Sequence, residues 1–280
     1  MALIGQHIRP QLERVSHKLT KLIAIHWGER FPFWYVCEYP KSGGTWLSRM
    51  VADYLDVSFP QHSLFPLGIP CVVQNHWRYH PALRRCLYLY RDGRDVMVSY
   101  YFMRMRGVAA NPPTPFYRHM KKVYEKAIGR GFDPHDAVKN MPRFIEVEMV
   151  RPRGARIVWP HHIEQWHHPD SPNIACLSYE ELLRDSQVTL TRCLGKFLDD
   201  SVDQDRLKAS IHRYEFSRMT GRAPGDENRN SAIRKGVAGD WVNYFSKEAA
   251  EVFDHYAGTA LIELKYEPDR SWLTNRDFVT

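Results

Sequence analysis

Tyr39-Pro40-Lys41-Ser42-Gly43-Gly44-Thr45-Trp46 is the stretch on which the fold turns. Before it runs Phe33-Trp34-Tyr35-Val36-Cys37, apolar and of strand length; after it Trp46, Leu47, Met50, Val51, Tyr54 and Leu55 recur at helical spacing. The octapeptide therefore joins a strand to a helix start. Two glycines remove the Cβ atoms that would keep backbone N–H groups from closing on an anion, and a helix N-terminus adds free donors and partial positive charge. Lys41 supplies a full charge at the same place. Because the lysine precedes the glycines, the triphosphate-loop order G-x-x-x-x-G-K-[ST] is absent. On these residues alone, a tight connection and a phosphate cradle are both open.

A second segment repeats the arrangement. Cys86-Leu87-Tyr88-Leu89-Tyr90 reads as a strand, Arg91-Asp92-Gly93-Arg94-Asp95 follows at once, and Val96-Met97-Val98-Ser99-Tyr100-Tyr101-Phe102 continues as a helix. An arginine at a strand's carboxyl end can fork onto a phosphate, and a hydroxyl two turns into the helix can reach the same anion. A third segment, Arg234-Lys235-Gly236-Val237-Ala238-Gly239-Asp240-Trp241, sets two cations before glycines, as an anion clamp or as a solvated basic turn.

Together, in order and spacing, the three segments resemble the sulfotransferases that use 3′-phosphoadenosine 5′-phosphosulfate (PAPS), in particular their cytosolic-type domain. The family patterns are Y-P-K-S-G-T-T-W, R-D-x-x-D-V-x-V-S-Y-Y and R-K-G-x-x-G-D-W. The resemblance implies an α/β fold, a single domain with a central parallel sheet flanked by helices, P-loop-like, with the donor at the carboxyl ends of the strands. It implies that Lys41, Ser42, Gly43, Gly44, Thr45 and Trp46 hold the 5′-phosphosulfate. Arg91, Ser99, Arg234, Lys235 and Gly236 are implied to hold the 3′-phosphate. Asn173 to Leu183 resembles the strand and Y-E-D-L segment that brings Tyr179 near the adenine, and Tyr214 to Met219 resembles the region whose Phe216 stacks on it. Gln74-Asn75-His76-Trp77 resembles K-T-H-L, which nominates His76 among 14 histidines as general base. In-line sulfuryl transfer asks for alignment and neutralisation of leaving-group charge, a duty for Lys41 and the loop amides. No metal is implied.

Two residues depart from the pattern. Gly44 stands where the family usually carries a threonine, and Gln74 where many members carry a lysine. These departures keep open a non-catalytic PAPS-binding protein that has lost turnover but retains the donor or its product PAP. A P-loop kinase is a weaker rival, lacking the GK[ST] order. The acceptor, a small molecule, saccharide or lipid, is left open between an apolar wall (Trp77, Tyr79, Tyr100, Phe102, Met103) and a cationic one (Arg78, His80, Arg104, Arg106). Of the family's dimer motif after the third clamp only Glu251 is kept, with Val242, Ser246 and Lys247 departing, so the oligomeric state is open too.

The string His161-His162-Ile163-Glu164-Gln165-Trp166-His167-His168 invites a zinc reading, but His162 and Trp166 share a helical face and packing accounts for them without metal. Composition fits one globular enzyme of 280 residues, 44% hydrophobic and 25% charged. Its charge of +7 suits an anionic nucleotide, and no nucleic-acid module or aromatic-laced basic stripe is present. The five cysteines fall mostly in expected strands and helices, as reduced thiols of a cytoplasmic protein. No apolar stretch nears the roughly 20 residues of a membrane span, and no secretory signal is evident. Residues 1–30 read as a basic helical extension, packed on the domain or touching a membrane surface. Gly107 to Pro115 and Gly221 to Ser231 read as the mobile loops.

Overall fold

The computed structural model describes residues 15–16, 18–28, 30–61, 69–111, 114–153, 155–198 and 200–280. The part of the N-terminal extension before residue 15 lies outside them. The elements run β1 (Phe33–Glu38), α1 (Gly44–Leu55), β2 (Cys71–Asn75), β3 (Cys86–Tyr90), α2 (Gly93–Ala109), α3 (Pro115–Ala127), α4 (Ala137–Val150), α5 (Trp159–Trp166), β4 (Ile174–Ser178), α6 (Tyr179–Arg184), α7 (Ser186–Gly195), α8 (Gln204–Arg213), α9 (Phe216–Thr220) and α10 (Lys247–Glu263). The strands form one parallel sheet in the order β2-β1-β3-β4. Strand order reverses beside β1, and the carboxyl ends of β1 and β3 lead into the first two motifs, the place where open α/β sheets bind ligands.

Contacts divide the chain into two compact units. The first holds the described residues up to Glu38, then Gly43–Leu89 and His167–Glu215; the second holds Tyr39–Ser42, Tyr90–Trp166 and Phe216–Thr280. In the first, alternation along β1 sends Trp34 and Val36 into a core with Leu47, Met50 and Val51 of α1, Leu87 and Leu89 of β3, and Leu182, Leu190 and Leu207. Residues 18–27 are helical; Ser16, Thr20 and Ala24 form a buried row at four-residue spacing, while Leu19, Leu22 and Trp27 are exposed.

The second unit is helical and aromatic. Phe144 of α4 meets Tyr101 of α2 and Tyr124 of α3 at 5.2 and 5.6 Å, and Phe253 of α10 meets Trp159 of α5 at 6.0 Å. Gly93 is needed at the start of α2, where a Cβ would lie 2.8 Å from both Trp159 and Phe253. Asp92 caps this helix by accepting from the Arg94 N–H at 2.9 Å. Arg94 is bracketed by Asp92 and Glu267 at 2.7 and 2.5 Å and lies 3.9 Å over the Trp241 ring.

The segment expected to be a loop from Gly107 is helical to Ala109, and α3 begins at Pro115 behind a Thr114 cap, so proline starts a helix there. The other expected mobile stretch is stapled by Arg222, whose guanidinium donates to the carbonyls of Asp226, Ile233 and Arg234 at 2.5, 2.5 and 2.7 Å. All five cysteines are unpaired thiols, four buried and Cys176 half-buried. No helix of the described residues is long and apolar enough to cross a membrane.

Candidate donor site

The loop after β1 turns through two left-handed residues, Lys41 at φ 78° and Gly43 at φ 106°. Gly43 adopts this freely, whereas a side-chain-bearing residue there costs roughly 1–2 kcal/mol. Gly43 also meets Tyr179, whose ring carbon would lie 2.9 Å from an added Cβ. Tyr179 in turn touches Trp46 edge-on at 5.9 Å, and the Trp46 indole N–H donates to the Tyr214 carbonyl at 2.8 Å. The two aromatics nominated beside the first motif are thus fixed against it.

As the residue preceding α1, Gly43 offers no side chain to cap it. The buried Glu38 does so instead. Its Oε2 accepts from the Gly44 N–H at 2.5 Å and its Oε1 from Gln74 Nε2 at 2.6 Å, while Gln74 Oε1 accepts from the Thr45 hydroxyl at 3.1 Å. A Cβ on Gly44 would overlap the Glu38 carboxyl group. The two departures from the family pattern are therefore neighbours of one carboxylate. His76 is half-buried, and its Nδ1 lies 3.0 Å from the Glu38 carbonyl oxygen. A carbonyl only accepts, so this bond assigns the hydrogen to Nδ1 and leaves the lone pair of the neutral ring on Nε2.

In the second unit, Arg91 ties the other segments together. It is buried and donates to the carbonyls of Lys41 at 3.5 Å and Val237 at 2.9 Å and to Asp95 at 3.3 Å. Asp95 also accepts from the N–H groups of Gly239 and Trp241 at 2.7 and 2.9 Å, and burial pushes its carboxyl above the ordinary range despite the Arg91 charge. Lys41 Nζ donates to the Ala232 carbonyl at 3.3 Å. Arg234 and Lys235 both pair with Asp240, at 2.5 and 2.6 Å, and Arg234 also pairs with Glu227. Burial opposes ionisation here, yet bonds from Lys235 and Arg234 hold Asp240, and bonds from Arg229 and Arg234 hold Glu227, below the usual carboxylate range. Phe216 rests on Gly236, where a Cβ would overlap its ring, and the Arg222 guanidinium lies 5.2 Å over its face. Ser99 sits half-buried on α2.

The Ser42 hydroxyl and Arg234 Nε are among the polar atoms of these motifs that are buried without a hydrogen-bond partner among the described residues. Buried donors are ordinarily satisfied, and phosphate oxygens would satisfy both. A doubly phosphorylated nucleotide therefore fits the residues present. Among the described residues no cluster of three or more His, Cys, Asp or Glu is placed to hold a metal ion. In the histidine-rich string, His162 is buried and stacks on Trp166 at 6.3 Å.

Of the acceptor-wall candidates, Trp77, Tyr100, Phe102 and Arg104 are core residues. Phe102 carries the Arg234 guanidinium 4.9 Å above its ring, so it supports the clamp. Arg104 donates to the Tyr100 hydroxyl at 2.5 Å. Sequence reasoning missed Glu38, Asp95 and Asp240. The signal for Glu38 was a carboxylate closing an otherwise apolar strand; the two aspartates stood inside quoted motifs but were passed over as acids among anion-binding residues.

The sulfotransferase domain model matches residues 82–265. The chain belongs to the sulfotransferase family. Sulfotransferase 1B1 of Mus musculus is 23% identical over 267 residues, covering 78% of this chain and 79% of that protein. Among solved structures, mouse sulfotransferase SULT7A1 complexed with PAP superposes with a TM-score of 0.54 at 21% identity, covering 83% of this chain and 88% of that one. Retinol dehydratase in complex with androsterone and inactive cofactor PAP superposes with a TM-score of 0.54 at 15% identity, covering 82% and 80%. These likenesses show the shared α/β fold.

Proposed function

We propose that this chain is a cytoplasmic enzyme, acting as a single sulfotransferase domain, that moves a sulfuryl group from PAPS to a hydroxyl, or an amine, of a small-molecule acceptor. The observation that carries the reading is the loop Lys41–Thr45, in a member of this family. Its two left-handed residues turn the chain into a helix start, and its buried Ser42 hydroxyl lacks a partner among the described residues. Donors placed where charge develops are what transfer of a charged group needs. PAPS supplies the activated sulfuryl group when bound. Lys41 and the loop amides would bear on the leaving phosphate oxygen, and Arg91, Ser99, Arg234 and Lys235 would hold the 3′-phosphate. Tyr179 and Phe216 are assigned to the adenine. His76 Nε2, with the Nδ1 hydrogen held by the Glu38 carbonyl, would accept the acceptor's proton.

The test joins binding to turnover. Calorimetry should show 3′-phosphoadenosine 5′-phosphate (PAP) binding more tightly than adenosine 5′-phosphate, with the preference lost in Arg91→Ala. Labelled PAPS offered with a panel of phenols, alcohols, sugars and amines should give sulfated product. His76→Ala should keep PAP affinity and lower transfer by roughly 100-fold or more. Equal binding of both nucleotides would overturn the 3′-phosphate assignment. Tight PAP binding with a silent panel would mark a donor-binding protein that has lost turnover.

A further inference from the structure

Glu38, Gly44 and Gln74 form a unit whose parts make sense only together. Glu38 ends a strand whose six residues are all buried and is itself 2% exposed, a setting in which a carboxylate needs strong partners. It finds them in the Gly44 N–H, at the positive end of a twelve-residue helix, and in the Gln74 amide. Glycine at 44 leaves the room, since any Cβ would overlap the carboxyl group. Glutamine at 74 supplies a donor while its oxygen receives the Thr45 hydroxyl. A carboxylate is thereby seated on a backbone N–H and linked through Gln74 to the Thr45 hydroxyl, the groups through which the donor loop would receive a phosphate.

We propose that the Glu38 carboxylate stands in for the donor's 5′-phosphate at the start of α1, so that Glu38 sets donor affinity by competing for the Gly44 N–H. The proposal rests on the reading of this loop as the PAPS site. Two negative groups cannot share one N–H at hydrogen-bond distance, so binding of a 5′-phosphate has to swing Glu38 out. The affinity of any nucleotide carrying that phosphate is lowered by the contacts Glu38 gives up. A nucleotide with only the 3′-phosphate escapes this cost.

The experiment measures binding of PAP and of adenosine 3′-phosphate to the full chain and to two variants. Glu38→Gln removes the charge at nearly constant shape. Gly44→Thr introduces the residue the family usually carries there, whose Cβ would displace the carboxylate while leaving Glu38 in the sequence. Each variant should bind PAP roughly tenfold or more tightly than the unaltered chain, the scale of one charge-assisted hydrogen bond, with unchanged affinity for adenosine 3′-phosphate. Unchanged or weakened PAP binding in either folded variant overturns the proposal, as does an equal gain for both nucleotides. Should one variant fail to fold, the other decides. Absence of PAP binding by the full chain and both variants overturns the donor reading itself.

Discussion

Lys41 combines a full positive charge with a backbone in the left-handed region, at φ 78°. Backbone strain of this kind persists where the surroundings over-determine it and is often stored at functional sites. Substitution separates the two contributions. Lys41→Gly relieves the strain and Lys41→Ala does not, so the glycine variant should be more stable than the alanine variant by about 1 kcal/mol, even after the extra freedom glycine gains when unfolded. Both should lose sulfuryl transfer. Denaturant unfolding of the pair, read beside a transfer assay, checks this; equal stabilities would show that the left-handed geometry costs nothing.

At the scale of elements, the third motif is held by acids as much as it is supplied with cations. Asp95, at the start of α2, bonds two backbone N–H groups of the segment, and Asp240 bonds both Arg234 and Lys235. Lys235 and Arg234 hold Asp240, and Arg229 and Arg234 hold Glu227, below the ordinary carboxylate range, so the stability these carboxylates contribute is complete above the unfolded values and is lost as pH falls through the folded ones. From about pH 4 downward the segment 227–241 should loosen, and Asp240→Asn should flatten that part of the stability–pH curve while lowering stability at neutral pH. Chemical denaturation across pH 2 to 6, as a round range, gives the comparison. A steep acid limb that survives in the variant would assign the loss to other carboxylates.

For the molecule as a whole, what was legible in the sequence is what depends on local pattern. The strands at Phe33 and Cys86 were readable because β-branched, aromatic and apolar residues run unbroken for five positions and end at glycine-bearing turns. The helix after the first loop was readable from its spacing. What escaped is long-range. Nothing in Asp95 announces partners 144 and 146 residues away, and nothing in Glu38 announces the Gly44 amide until the loop closes over it. The departures at Gly44 and Gln74 were visible one by one, but as losses; only the folded chain shows the carboxylate they accommodate.

The five unpaired thiols give the chain a property of a different kind. Burial pushes Cys71 and Cys193 to about 11 and Cys176 to about 12. A thiol near 11 is ionised at neutral pH in only about one molecule in ten thousand, and the thiolate is the species that reacts. An electrophile such as a maleimide should therefore leave the native chain almost untouched and reach the thiols as the first unit, which holds all five, opens. Intact-mass spectrometry would read five internal reporters of that unit at once: four of these cysteines belong to the sheet and Cys193 to α7. Rapid fivefold labelling under fully native conditions would show that the sheet breathes far more than its packing implies.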